Sequence, residues 1–424
     1  VSAAAALRER ASAAASSLRV RNYRLYFFGQ SISVAGTFMQ MLALAFLTLQ
    51  LTGSGTALGI VTGVRLLPFV LLGPIGGLIA DRYNKRRLLY ITQTSQALGA
   101  VAFAVLTALG VMNFPLLVVL SLVLGCLTVF DNPARQSFIA DLVPRETLAN
   151  AVVLNSVSIN LARVFGSVIG GSLVALVGIP ICFAVNALSF VAVIVSLARM
   201  RSDELMPPVT VARGKGQVRE GLRYALRTPE LALPLLMVTI TGILAFEFPI
   251  TLPLVAQGAF GGTAATYGLM AAVMAGGAVV GGLIAASRSA PSRSASLAIT
   301  AIGWGIAITA TGLAPVLPLA LVALVFVGYG SITFNAASKT ALQLASRPEM
   351  RGRVMALWSL AWGGSTVVGG PLVGWVAQEF GSRWSLLVGG IPTILLGLII
   401  LPILRRRDAR ADAPAPARSA GGPG

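Results

Sequence analysis

The 424-residue chain has no histidine and two cysteines, and only 11% of it is charged. Each scarcity closes a route. The commonest general base and metal ligand is missing. Cys126 and Cys182 each sit inside an apolar run, so they read most simply as packing residues without a disulfide or metal role. No glycine-rich loop ending in Lys-Ser or Lys-Thr is present, so no ATP-driven engine is visible. A nucleophile, base and metal constellation cannot be assembled from what is left, so no enzyme and no cofactor are expected. With 56% hydrophobic residues, the chain would leave a water-soluble surface short of polar groups. A lipid bilayer is the environment these numbers fit.

What is present confirms that choice. Apolar runs near the ~20 residues needed to cross a hydrocarbon core occur twelve times. They are Leu25 to Leu49, Ala57 to Ala80, Leu88 to Leu109, Pro115 to Phe130, Ala151 to Val177, Ile181 to Leu197, Leu231 to Val255, Tyr267 to Ala286, Leu297 to Leu313, Leu317 to Phe334, Val354 to Ala377 and Leu386 to Leu404. The net charge of +18 follows topology: 29 of the 32 Lys and Arg fall on one side of these spans, Arg383 falls on the other, and Arg65 and Arg163 fall inside spans. That asymmetry places both termini and every long loop in the cytoplasm. It also removes the nucleic-acid reading that such a charge would invite in a soluble protein. The alanine-rich opening segment lacks a continuous apolar core, so no cleaved signal peptide is expected.

The two halves repeat. GGLIA at 76–80 returns at 281–285, FDNPARQSFIADLVP at 130–144 aligns with FNAASKTALQLASRP at 334–348, and GSVIGG at 166–171 falls on GPLVGW at 370–375. All three registers are 204 or 205 residues, so spans one to six and seven to twelve are related units of the same orientation. The expected organisation is a disordered tail at 1–18, a six-helix bundle at 19–200, a cytoplasmic linker at 201–230 with a short amphipathic helix near Arg219 to Leu226, a second bundle at 231–404, and a disordered tail at 405–424.

Twelve spans in two parallel halves, with G-x-x-x-D-R-x-x-K-R after span two, resemble the major facilitator superfamily. NYRLYFFGQ at 22–30, DNPARQSFIADLVPRE at 131–146 and NAVVLNSVSINLARVFGSVIGG at 150–171 look like its branch of enterobactin exporters and macrolide-efflux-type proteins. The resemblance implies an all-α membrane fold of two six-helix bundles that rock about a central cavity. It implies a contact between Asp81 and the amino-terminal end of span eleven near Arg353, and a charge relay that maps to Asp81, Lys85 and Asp131 and holds a cytoplasmic gate shut. Arg82 and Arg135 belong to the same cluster. The residues alone allow a plainer reading, basic side chains that only set topology. Asp81, however, lies at the negative end of a helix dipole, where a carboxylate is disfavoured by about 0.3–1 kcal/mol. The second copy has Ala286 in place of Asp81.

Three further groups stand out. Arg163 precedes Gly166, Gly170 and Gly171, a pattern similar to the antiporter signature of drug exporters with Ser167 in place of its proline. An arginine at mid-membrane costs about 2.5–3.5 kcal/mol on insertion scales, and the alternative is a glycine packing face whose arginine pairs with backbone carbonyls. Arg65 and Glu247 lie at similar depth in spans two and seven. They are candidates for a pair broken by protonation, for a permanent salt bridge, or for two residues that face a wet cleft without touching. Lastly, Ser33, Thr37 and Gln40 share a face of the first span, with Gln30 near it. The resemblance makes that helix a wall of the central cavity, to which Asn155 and Asn160 add polar contacts or else bond neighbouring helices. Trp358 and Trp362 share a face suited to packing.

The expected function is secondary active transport: proton-coupled efflux of a small amphipathic molecule, a drug or siderophore, by a monomer with protons as coupling ion. An importer and a non-transporting scaffold or sensor are the alternatives. A scaffold would not need to bear the cost of charges inside spans two, five and seven.

Overall fold

The computed structural model describes residues 16–206, 217–287 and 295–411. Bilayer interiors offer no hydrogen-bond partners, so the apolar runs close their backbone bonds internally as helices. The first bundle is α1 (Arg21–Thr52), α2 (Gly55–Arg82), α3 (Lys85–Ala108), α4 (Phe114–Leu142), α5 (Arg145–Val177) and α6 (Ile179–Ala198). A short amphipathic α7 (Gln217–Arg227) follows. The second bundle is α8 (Pro229–Ala245) with α9 (Phe248–Gly258), α10 (Ala264–Ser287), α11 (Ala295–Leu313), α12 (Leu317–Ala345), α13 (Arg351–Gly363) with α14 (Thr366–Phe380), and α15 (Trp384–Ala411). Among the described residues, eleven helical segments are long and apolar enough to cross a membrane, α8 and α9 together counting as one. The expected eleventh span is the exception. Gly364 and Ser365 divide it into α13 and α14 of 13 and 15 residues, each too short to cross alone.

Other expected boundaries also move. Spans four and ten run on past Phe130 and Phe334 to Leu142 and Ala345. The apolar-run criterion stops at charges such as Asp131 and Arg135, but these two pair one turn apart inside α4, which lets the helix continue. Within the segment expected to be a disordered tail, Ser16–Arg19 forms a 3-10 turn, and Ser17 donates its hydroxyl to Asn150 at 2.7 Å. Residues 1–15 and 412–424 of the two tails lie outside the described residues, whereas 405–411 continue α15.

One end of the molecule carries the tight turns. All five positive-φ glycines of the described chain, Gly53, Gly110, Gly178, Gly261 and Gly381, sit in connections at this turn end. The opposite, linker end carries the 201–230 segment. Between the halves, α2 packs on α14 and α5 on α10, and both contacts concentrate toward the turn end. Backbone meets backbone there: a Cβ on Gly370 would stand 2.8 Å from the Gly59 carbonyl oxygen, and one on Gly171 would stand 2.7 Å from that of Ala264.

Toward the linker end the seam opens. Val152 and Ser156 on α5 are exposed, as are Phe28 and Ile32 on α1. The structure is therefore a pair of bundles sealed at the turn end around a crevice open at the linker end.

Gly370→Leu is expected to wedge this seam apart. It should lower unfolding stability in detergent by about 1–3 kcal/mol and raise thiol labelling, from the turn-end side, of a cysteine introduced at Thr62.

Candidate functional site

The charged motif of the first half folds into a knot inside its own bundle. Asp131 is 1% exposed and accepts hydrogen bonds from Thr92 (2.8 Å) and Gln93 (2.7 Å) of α3, while Arg135 pairs with its other oxygen. Lys85 donates to both carboxylate oxygens of Asp141, at 2.8 and 2.9 Å. This corrects the expected relay: the partner of Lys85 is Asp141 at the end of α4, and Asp131 is tied to Arg135. Arg86 seals the same corner by donating to the carbonyl oxygens of Leu197, in the last turn of α6, and of Met200 just beyond it. Arg82 is exposed, and the Asp81 side chain lies outside the described residues. Arg353, expected beside Asp81, pairs instead with Glu220 of α7 at 2.6 Å. With the linker end open, the end of α13 is held by the linker helix.

The polar face of α1 does not line the crevice. Ser33 and Gln40 are buried, and Gln40 accepts from the Asn186 side chain of α6. Thr37 donates to the Ser33 carbonyl at 3.0 Å. Thr37, Gln40, Gln96 and Asn186 surround Arg65 in a cavity of about 10 Å³ inside the first bundle, near the lower limit that admits a single water. Gln30 is buried with both amide atoms unpaired. The correction has a steric cause: Gly36 lets α6 approach so closely that this face is covered by Asn186 and Ser189.

Arg163 lies one turn before the glycine stripe of α5. Gly166 and Gly170 seat on Ala35 and Met39 of α1, and Gly171 seats on α10. The Arg163 guanidinium stands 5.2 Å over the Phe38 ring, and its Nε is buried without a hydrogen-bond partner. Asn160 donates to the Ser156 carbonyl of its own helix at 2.9 Å, and Asn155, half-buried, lies on a different face of that helix.

Glu247 occupies the most unusual position. The interruption between α8 and α9 falls on Phe246 and Glu247, where Pro249 supplies no N–H to the preceding turn. The interruption between α13 and α14 lies against it: Gly242 packs on Ser365, and a Cβ on Gly369 would stand 2.9 Å from Glu247 Oε1. Glu247 is 1% exposed, and neither carboxylate oxygen makes a hydrogen bond of ordinary geometry, although the Thr366 side chain is within reach. Of the relations open to Arg65 and Glu247, a pair is not formed. Arg65 is enclosed in the first bundle and Glu247 is pinned behind α14.

Sequence reasoning missed two things here. Phe246 packs at a tilt against Trp304 (4.3 Å) and Trp362 (3.7 Å between centroids), a cluster that walls the break from one side. The second break was also missed, although Gly363-Gly364-Ser365 is a sequence that weakens a helix.

Two like-oriented bundles, two discontinuous helices and a one-sided crevice are the geometry of a rocking carrier. Residues 12–420 match the family described as transmembrane secretion effector, within the major facilitator superfamily. The chain belongs to that family. Membership makes it a multi-pass membrane protein of a transporter superfamily. It is 28% identical over 397 residues to the multidrug efflux pump Tap of Mycolicibacterium fortuitum, covering 91% of this chain and 96% of that one. It is 26% identical over 263 residues to the staphyloferrin A transporter of Staphylococcus aureus, covering 61% and 66%. The match to the uncharacterised transporter YfiS of Bacillus subtilis, 28% identical, spans 49% of this chain and 50% of that protein. A solved bacterial homologue of the lysosomal transporter Spinster shares the fold, with a TM-score of 0.67 at 15% identity over 94% of this chain and 99% of that one.

Asp131→Asn is expected to cost about 3 kcal/mol of stability, because Arg135 is left partly buried without its counter-charge. Thermal unfolding of Asp131→Asn, Arg135→Gln and the double variant in detergent checks it: the double variant should lose less than the sum of the singles.

Proposed function

We propose that the chain is a proton-driven exporter of a small amphipathic molecule, a drug or siderophore, acting as a monomer in the bacterial cell membrane with both termini and the linker end in the cytoplasm. One observation carries the coupling role: Glu247, a deep carboxylate of the second bundle, sits at the contact of two helix breaks with no cationic partner among the described residues. Intramembrane carboxylates in such positions relay protons. The breaks give the surrounding backbone two arrangements at small cost, so gain or loss of a proton can bias which end of the crevice is open.

The cationic linker end supports the orientation, and on that reading the structure is the inward-open state. Closing the linker end would bring the last turn of α2 toward the first turn of α13. There Asp81 would meet the positive helix end and Arg353, displacing Glu220. Arg82, Lys85, Asp131 and Arg135 would then serve the gate by keeping the corner of the first bundle rigid. The name of the multidrug efflux pump Tap supports export of a drug, and that of the staphyloferrin A transporter supports a siderophore as the other cargo.

Uptake of a xanthene dye into inside-out vesicles with an acidified lumen tests the coupling. Glu247→Gln should lower gradient-driven uptake at least tenfold while leaving dye exchange in the absence of a gradient within about threefold of the parent. Undiminished gradient-driven uptake would remove Glu247 from the mechanism.

A further inference from the structure

The two exposed faces of α5 differ in character. Leu161, Phe165 and Val168, 46%, 58% and 43% exposed, form an apolar row suited to lipid. On roughly the opposite side, Val152, Ser156 and Arg163 follow one another at helical spacing from the open linker end toward the seal. The Arg163 guanidinium is therefore at the inner end of the crevice, stacked on Phe38, and among the described residues no carboxylate pairs with it.

Lys339 on α12 is a second cation set on an aromatic ring, in the other bundle. It is half-buried, 4.3 Å over the Trp358 ring, and unpaired with any carboxylate among the described residues. By the 204-residue register it corresponds to Arg135, but the acid one turn earlier, Asp131 in the first bundle, is Asn335 here. The second half has kept the cation and lost its counter-charge.

Two described carboxylates, Asp131 and Glu247, are not available to a ligand. Asp131 is committed to Arg135, and Glu247 is 1% exposed. A desolvated cation without a fixed partner is stabilised by an anion that arrives with the cargo. A guanidinium on an aromatic face presents its fork edge to carboxylate or catecholate oxygens while the ring receives the apolar body.

We propose that the crevice selects an organic anion with an apolar or aromatic body, held by Arg163 over Phe38 from the first bundle and by Lys339 over Trp358 from the second. This deepens the transport reading and rests on it. A ligand bridging both cations ties the two bundles together, and only then does its presence bear on their rocking.

Two xanthene dyes of opposite charge, carboxyfluorescein and rhodamine 6G, test the proposal by fluorescence anisotropy on the detergent-purified full chain, where no flux is needed. The parent should bind carboxyfluorescein at least tenfold tighter than rhodamine 6G. Arg163→Gln and Lys339→Gln should each weaken carboxyfluorescein about tenfold or more, and Arg163→Lys should recover most of that loss. Thermal midpoints within a few degrees of the parent would show the variants folded. Lys339, nearer the open end, supplies the second variant if Arg163→Gln fails to fold. Preference for rhodamine 6G, binding of neither dye, or equal weakening of both dyes by Arg163→Gln would overturn the proposal. Selective binding of carboxyfluorescein without any vesicle uptake would leave the anion site standing and overturn transport instead.

Discussion

The constraint on which the rest depends is the absence of hydrogen-bond partners in the hydrocarbon core. It forces the backbone into helices and makes any interruption costly unless protein covers it. Both interruptions found here obey this rule, because each is placed against the other: Gly242 on Ser365, Gly369 on Ile243 and Glu247. The breaks between α8 and α9 and between α13 and α14 are thus one structural feature rather than two. Glu247, a deep carboxylate of the second bundle, stands at their contact. Two helix interruptions and a carboxylate therefore occupy the same few ångströms.

The two halves share a backbone plan but divide the work. In the first, Asp131, Arg135, Thr92, Gln93, Lys85 and Asp141 tie α3 to α4 and make that corner stiff. In the second, Ala286, Asn335 and Ala345 stand where Asp81, Asp131 and Asp141 do in the first, so those three acidic positions are not repeated. Among the described residues, the acidic tie at the linker end of the second bundle comes from another helix: Asp408 of α15 accepts from the Ala295 backbone at the start of α11. Both breaks lie in that second half.

The sequence made the architecture legible because hydrophobicity and positional charge act over twenty residues at a time and survive local exceptions. The bundle boundaries, the parallel repeat and the linker helix all belong to that scale. The site was less legible. Depth along a helix can be counted, which placed Arg65 and Glu247 at the same level. Azimuth cannot be counted so easily, and it is azimuth that turned Arg65 into the first bundle and set Glu247 behind α14. Gly36 explains the fate of Ser33, Thr37 and Gln40: a missing side chain drew α6 in and covered a face that looked fit for a cavity. The resemblance to a transporter family joined Lys85 to Asp131 in one relay, whereas Asp131 is tied to Arg135. Only the coordinates could show that Lys85 reaches Asp141.

The α2–α14 seam at the turn end is main chain against main chain at its glycines, where Gly55 and Gly59 face Gly374 and Gly370. Those four positions leave no side-chain knob to withdraw, so parting there needs no repacking. The border of the same contact is polar: Ser54 and Thr56 both donate to Gln378. Water can take over such bonds as soon as the edge is wetted, which makes a joint of this kind easier to part than one held by interdigitated apolar side chains.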